Sequence, residues 1–132
     1  MNNKLMVMCR FVEDLSTLSK CQQRGVAAIL VTPDLDQILS IGINGAAKGG
    51  IQCLCTLGSK YTCLHAEQNM LAKNKSDATG MHVIQTLAPC IQCAAAMINA
   101  GITKVYYLWD WKDNSGLKML ENAGVQVIKV HL

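Results

Sequence analysis

The sequence predicts an α/β protein: a three-layer α/β/α sandwich built on a five-stranded mixed sheet. Two patterns and the composition carry that expectation. Through the second half, short apolar runs at residues 81–86, 104–108 and 125–130 alternate with helical patterns at 90–100 and 115–123. Strand–helix–strand repetition of this kind implies parallel strands joined by helical crossovers that cover both faces of one sheet. In the first half, apolar runs at 26–31 and 37–43 flank the turn Thr32-Pro33-Asp34, an antiparallel hairpin. The chain has 132 residues, 51% of them hydrophobic and 16% charged, which suits a single domain spanning 1–132 with a buried core.

Taken in order, residues 4–20 open the chain as an amphipathic helix, with Leu5, Met8, Val12, Leu15 and Leu18 at steps of three and four. The two hairpin strands follow. Residues 44–62 hold Gly45, Gly49, Gly50 and Gly58 together with Cys53 and Cys55, the longest irregular stretch, and long loops in compact domains usually serve a function. A helix is expected over 63–74, a strand over 81–86, and a helix over 90–100 that stops at Gly101. The last strand and helix pair ends with Gly124 ahead of residues 125–130. Periodicity leaves the strand order open.

Charge and length exclude several classes. Twelve Lys and Arg against nine Asp and Glu leave +3, too mild a balance for a nucleic-acid or membrane-surface protein. The longest apolar run, 26–31, is far short of a membrane span, and residues 5–8 are too few for the apolar heart of a signal peptide. A cytoplasmic location is expected, where seven cysteines stay reduced. Their odd number and the Cys90-x-x-Cys93 spacing favour ligation or catalysis over disulfides.

Two motifs carry the chemistry. His65-Ala66-Glu67 opens one expected helix and Pro89-Cys90-Ile91-Gln92-Cys93 opens another. Cys90 and Cys93, three apart, share a helix face and can grip one metal ion. A helix N-terminus lowers thiol pKa values, and Pro89 needs no backbone donor there. With His65, the set becomes one nitrogen and two sulfurs, which leaves one tetrahedral position open, as in catalytic zinc sites. Glu67 diverges from His65 along the helix and suits proton transfer better than ligation. The Cys-x-x-Cys spacing also fits a metal-free redox dithiol, and Cys63 offers a fourth donor to a structural zinc. The pairing of both motifs at helix starts favours the catalytic reading.

These residues match the H-x-E…P-C-x-x-C signature of zinc nucleobase deaminases, and nearly the whole chain resembles the deoxycytidylate deaminases of that superfamily, phage members included. The likeness runs through residues 24–30, Gly42-Ile43-Asn44-Gly45, residues 65–71, Thr86 through Cys93, residues 101–107 and Ala123-Gly124-Val125. Ile43, Ala27 and Ala88 depart from the family pattern, and an insertion that some relatives carry before His65 is missing.

The resemblance implies a cytidine deaminase-like fold and hydrolysis of dCMP to dUMP and ammonia. His65, Cys90 and Cys93 would hold Zn2+, one catalytic ion per chain, and Glu67 would shuttle protons. Substrate contacts would come from Asn44, Ala66, Thr86, Ala88 and, on the base, Trp111. Independently of the resemblance, phosphate needs a cation near this loop, and Lys112 is the candidate. Asn44, Gly45, Lys48, Gly49 and Gly50 would form an allosteric loop, with dCTP activating and dTTP inhibiting, in a homo-oligomer that is a hexamer by family. Cys21 and Cys53 coincide with ligands of a second, structural zinc in some relatives, but without a full ligand set, buried thiols are expected. A sibling enzyme acting on cytidine or tRNA adenosine, and a zinc-held binding module without turnover, are the alternative classes.

Overall fold

The computed structural model describes residues 2–21, 23–49, 53 and 63–132. Helix α1 (Asn3–Ser16) starts where the Asn2 side chain accepts the Lys4 backbone N–H at 2.8 Å, which satisfies one of the donors a helix start leaves open. It ends four residues before the predicted boundary. Thr17 Oγ1 donates to the Asp14 carbonyl at 2.6 Å, a local bond that competes with helix continuation. Leu18, in phase with the apolar stripe, is 65% exposed and lies outside the core.

Strands β1 (Ala27–Val31) and β2 (Ile38–Ile43) form the predicted hairpin. The short pair β3 (Gly45–Ala46) and β4 (Cys63–Leu64) departs from expectation, because residues 63–64 fall in the stretch whose pattern predicts a helix. Gly45 pairs with Leu64 and Ala46 with Cys63, a contact across the long loop that no local period can signal. Helix α2 (Ala66–Lys73) follows directly, then β5 (His82–Leu87), α3 (Ile91–Ala100), β6 (Lys104–Trp109), α4 (Ser115–Asn122) and β7 (Gln126–Lys129). The larger sheet among the described residues has five strands in the order β2-β1-β5-β6-β7. β1 runs antiparallel to both neighbours, while β5, β6 and β7 are parallel.

All of β1 is buried, so it reads as an unbroken apolar run rather than an alternation. Its side chains still alternate between layers. Ala27, Ile29 and Val31 join Leu5, Cys9 and Val12 of α1 on one face. Ala28 and Leu30 join Met70 of α2, Met97 of α3 and Leu120 of α4 on the other. The three layers are therefore α1, the sheet, and α2 to α4. No helix among the described residues is long and apolar enough to cross a membrane.

Two glycines set the helices that carry the motifs. A Cβ at Gly42 would stand 2.0 Å from the Ala66 carbonyl oxygen, so only glycine lets α2 lie this close to β2. A Cβ at Gly116 would stand 2.2 Å from the Pro89 oxygen, and its absence lets α4 support the start of α3.

Candidate metal and catalytic site

Both motifs meet off the carboxyl end of β5. There the parallel half of the sheet borders antiparallel β1, a place where open α/β sheets tend to bind ligands. His65 is the N-cap of α2 and Cys90 the N-cap of α3. Gln68 Oε1 accepts the His65 backbone N–H at 2.8 Å, which pins the entry to α2. The His65 Nδ1 atom lies 3.2 Å from Cys93 Sγ and 3.5 Å from Cys90 Sγ. The donor atoms of His65, Cys90 and Cys93 all fall within 4.8 Å of one another, and one nitrogen with two sulfurs suits zinc chemically. These residues can hold a zinc ion.

Cys90 and Cys93 titrate as a pair. The Cys93 thiol and the His65 ring hold Cys90 down to about 4, and the Cys93 backbone N–H adds a 3.4 Å contact to its sulfur. Cys93 is pushed up by its bond to Cys90 and by burial. The hydrogen-bonded pair shares a proton that zinc must displace before both sulfurs can ligate as thiolates. Calorimetry in buffers of different ionisation enthalpy is expected to show release of about one proton per zinc near pH 7. Release of none would mean both sulfurs are already thiolates.

Glu67 lies one step inside α2, 4% exposed. Burial raises its pKa, opposed by its own backbone N–H, by the Gln85 amide and by His65. A buried carboxyl poised above its usual range beside a metal-ligand set fits a proton carrier. A cleft of about 330 Å³ opens on these groups, lined by Cys21, Gln23, Arg24, Val26, Asn44, His65, Ala66, Glu67, Leu87, Ala88, Cys90 and Trp111.

Chemistry and shape together narrow the family, and the comparisons name it. Residues 1–109 match the family described as "Cytidine and deoxycytidylate deaminase zinc-binding region". The chain belongs to this deaminase family. It is 38% identical to the deoxycytidylate deaminase of Enterobacteria phage T4, covering 88% of this chain and 84% of that one. It is 32% identical to ComE operon protein 2 of Bacillus subtilis, covering 89% of this chain and 66% of that protein. Against the Saccharomyces cerevisiae deoxycytidylate deaminase, 28% identical, it spans 39% of the relative's length. The crystal structure of dCMP deaminase from the cyanophage S-TIM5 in complex with dCMP and dUMP superimposes with a TM-score of 0.88 at 31% identity, covering 98% of this chain and 99% of that one.

Within this deaminase-family chain the predicted site residues separate. Asn44, Ala66, Ala88 and Trp111 line the cleft. Thr86 does not, because strand alternation turns it from the face that Gln85 and Val83 share. Its Oγ1 is instead committed to Ala27, accepting the N–H at 3.1 Å and donating to the carbonyl at 3.4 Å. Lys112 is exposed and is not among the lining residues, whereas Arg24, which no sequence motif singles out, is. The Arg24 guanidinium lies 5.1 Å from the centre of the Trp109 ring.

Asn44 is tied to the segment that enters β1 as well as lining the cleft. Its Oδ1 accepts the Val26 N–H at 2.8 Å, and its Nδ2 donates to the Arg24 carbonyl at 2.7 Å. Of the expected allosteric residues, Gly45 belongs to β3, Lys48 and Gly49 form a turn, and Gly50 lies outside the described residues.

Cys21 and Cys53, expected as buried thiols, stand beside Cys63. Cys21, Cys53 and Cys63 are half-buried, and their sulfurs come within 4.8 Å of one another, three soft donors suited to a thiophilic ion.

Proposed function

We propose that this chain hydrolyses dCMP to dUMP and ammonia, water supplying the oxygen that replaces the exocyclic amine. The observation that carries the reading is the buried Glu67 carboxyl beside the His65, Cys90 and Cys93 donors, at one wall of an open cleft. The likeness to a cyanophage dCMP deaminase crystallised with dCMP and dUMP supports the choice of substrate. Zinc held by those three residues would act as a Lewis acid and bring the pKa of a water to about 7. Glu67 takes one proton from the attacking water and passes it to ring N3. It then takes the proton left on the new C4 hydroxyl and delivers it to the departing amine, which leaves as ammonia while the C4–N bond breaks. Ala66 and Ala88, small and buried, leave room for the ring edge. Trp111 is the stacking surface, an interaction worth about 1–3 kcal/mol.

Arg24 is the phosphate partner in this reading, since its fork of donors matches phosphate and it lines the cleft where Lys112 does not. Loss of cytosine absorbance tests the scheme, with dCMP, deoxycytidine and dCTP compared side by side. The expected result is fastest turnover of dCMP. Arg24→Ala is expected to raise the KM for dCMP about tenfold and leave deoxycytidine unaffected, with Lys112→Ala changing neither. Equal rates on deoxycytidine and dCMP would overturn the nucleotide assignment.

Control by dCTP and dTTP through residues 44–50, and a hexameric assembly, belong to the same proposal. What supports the regulation is connectivity. β3 (Gly45–Ala46) pairs with β4 (Cys63–Leu64), and β4 runs directly into His65, so a ligand on the loop would act on a metal donor. A sigmoidal rate curve for dCMP that dCTP makes hyperbolic is the expected signature. Indifference to both triphosphates would remove it.

A further inference from the structure

Gln85 is wholly buried in β5, on the same face as Val83. Its Nε2 lies 2.9 Å from Glu67 Oε2 and 2.6 Å from the Leu87 carbonyl oxygen. A backbone carbonyl only accepts, so the nitrogen and not the oxygen of the amide must face Leu87. The amide's orientation is thereby settled, and its second hydrogen is directed to Glu67. The remaining atom, Oε1, is buried and has no partner among the described residues. Folding alone gives no reason to place such a group here, because an apolar side chain would fill the strand without stranding an oxygen.

From this we infer that Gln85 is a positioning residue for the proton carrier, holding the Glu67 carboxyl in one rotamer through Nε2. The inference rests on the deaminase reading above. Glu67 sits on α2, in the turn that His65 caps, while Leu87 begins the segment leading through Pro89 to Cys90. One amide thus ties the carboxyl on α2 to the strand end that delivers the sulfur donors. Proton transfer needs its partners aligned within a few tenths of an ångström, and a carboxyl free to rotate in its pocket would lose that alignment. Gln85 touches neither the metal donors nor, in this assignment, the substrate. It acts through Glu67.

Gln85→Met keeps the length and removes every polar atom, including the stranded oxygen, and Gln85→Asn keeps the amide but falls one carbon short. In zinc-loaded protein both are expected to lower kcat about 10- to 100-fold, with KM within about threefold of wild type. Zinc content and dUMP affinity are expected to stay unchanged. Affinity for a nucleotide whose pyrimidine carries a hydroxyl on a tetrahedral C4 should fall by the same factor as kcat, because that analogue reports on transition-state contacts. The ratio of variant to wild type is read on whichever of dCMP, deoxycytidine and cytidine the wild-type chain deaminates. Failure of dCMP as substrate is then distinguishable from failure of the Gln85 assignment. Three results would overturn the assignment: kcat within about threefold of wild type in Gln85→Met, a fall in kcat matched by zinc loss, or an equal fall in dUMP affinity.

Discussion

Glu67→Gln is expected to lower kcat by about 10⁴-fold, the upper end of what a positioned acid–base group supplies, and to leave zinc bound. The amide nearly reproduces the shape of the carboxyl but cannot carry the protons. The donor set of His65, Cys90 and Cys93 does not include Glu67, so metal analysis should read the same in variant and wild type. Parallel loss of zinc and turnover would make Glu67 a ligand and defeat the assignment.

The same substitution is expected to raise thermal stability in metal-stripped samples. Burial raises the Glu67 pKa above the ordinary range of a glutamate, so the folded state favours the neutral carboxyl. The stability that this neutral form contributes is complete below the unfolded-state value and is lost as pH rises through the folded value. The amide that replaces the carboxyl does not titrate, so the gap in Tm between Glu67→Gln and wild type should open with rising pH. A gap that closes with rising pH would show that the ionised carboxylate is the better-accommodated form. Catalytic groups held in unfavourable surroundings commonly show this exchange of stability for activity.

The second large effect is expected at Cys93. Cys93→Ala removes a buried sulfur that lies 3.2 Å from His65 Nδ1. Zinc per chain at this site should fall from about one to near zero after dialysis, and deamination should become undetectable. Tm should fall by ~10 °C relative to the zinc-loaded wild type, since a tightly held ion that binds only the folded state adds several kcal/mol of stability. Cys90→Ala should behave alike in metal and activity. Zinc retained at full content in Cys93→Ala would mean that the ion is held elsewhere.

Local spacing made the motifs legible. The His65 and Glu67 pair and the Cys90 and Cys93 pair each sit at a helix start, so their directions follow from helix geometry. The hairpin and the parallel crossovers were legible for the same reason, because strand and helix periods are properties of short windows. What escaped the sequence depends on contacts between distant segments. β4 exists only because Cys63 and Leu64 find Ala46 and Gly45 across the loop. Nothing local says that alternation along β5 commits the Thr86 hydroxyl to Ala27. Gln85 left one signal, a lone amide in the run His82-Val83-Ile84-Gln85-Thr86-Leu87. A polar side chain at full burial needs a partner, but nothing local says that the partner is Glu67, 18 residues earlier.

By itself, the sequence determined the layer architecture, the donors His65, Cys90 and Cys93, and the carboxyl beside them. These depend on residue type and on spacings of two to four positions, which backbone geometry converts directly into direction. Only the tertiary structure decided the strand order, the placing of Arg24 and not Lys112 along the cleft, the meeting of Cys21, Cys53 and Cys63, and the hydrogen bond of Gln85 to Glu67. Those arrangements follow from how two sheet faces are filled at once, and no short window of sequence holds both sides of that packing.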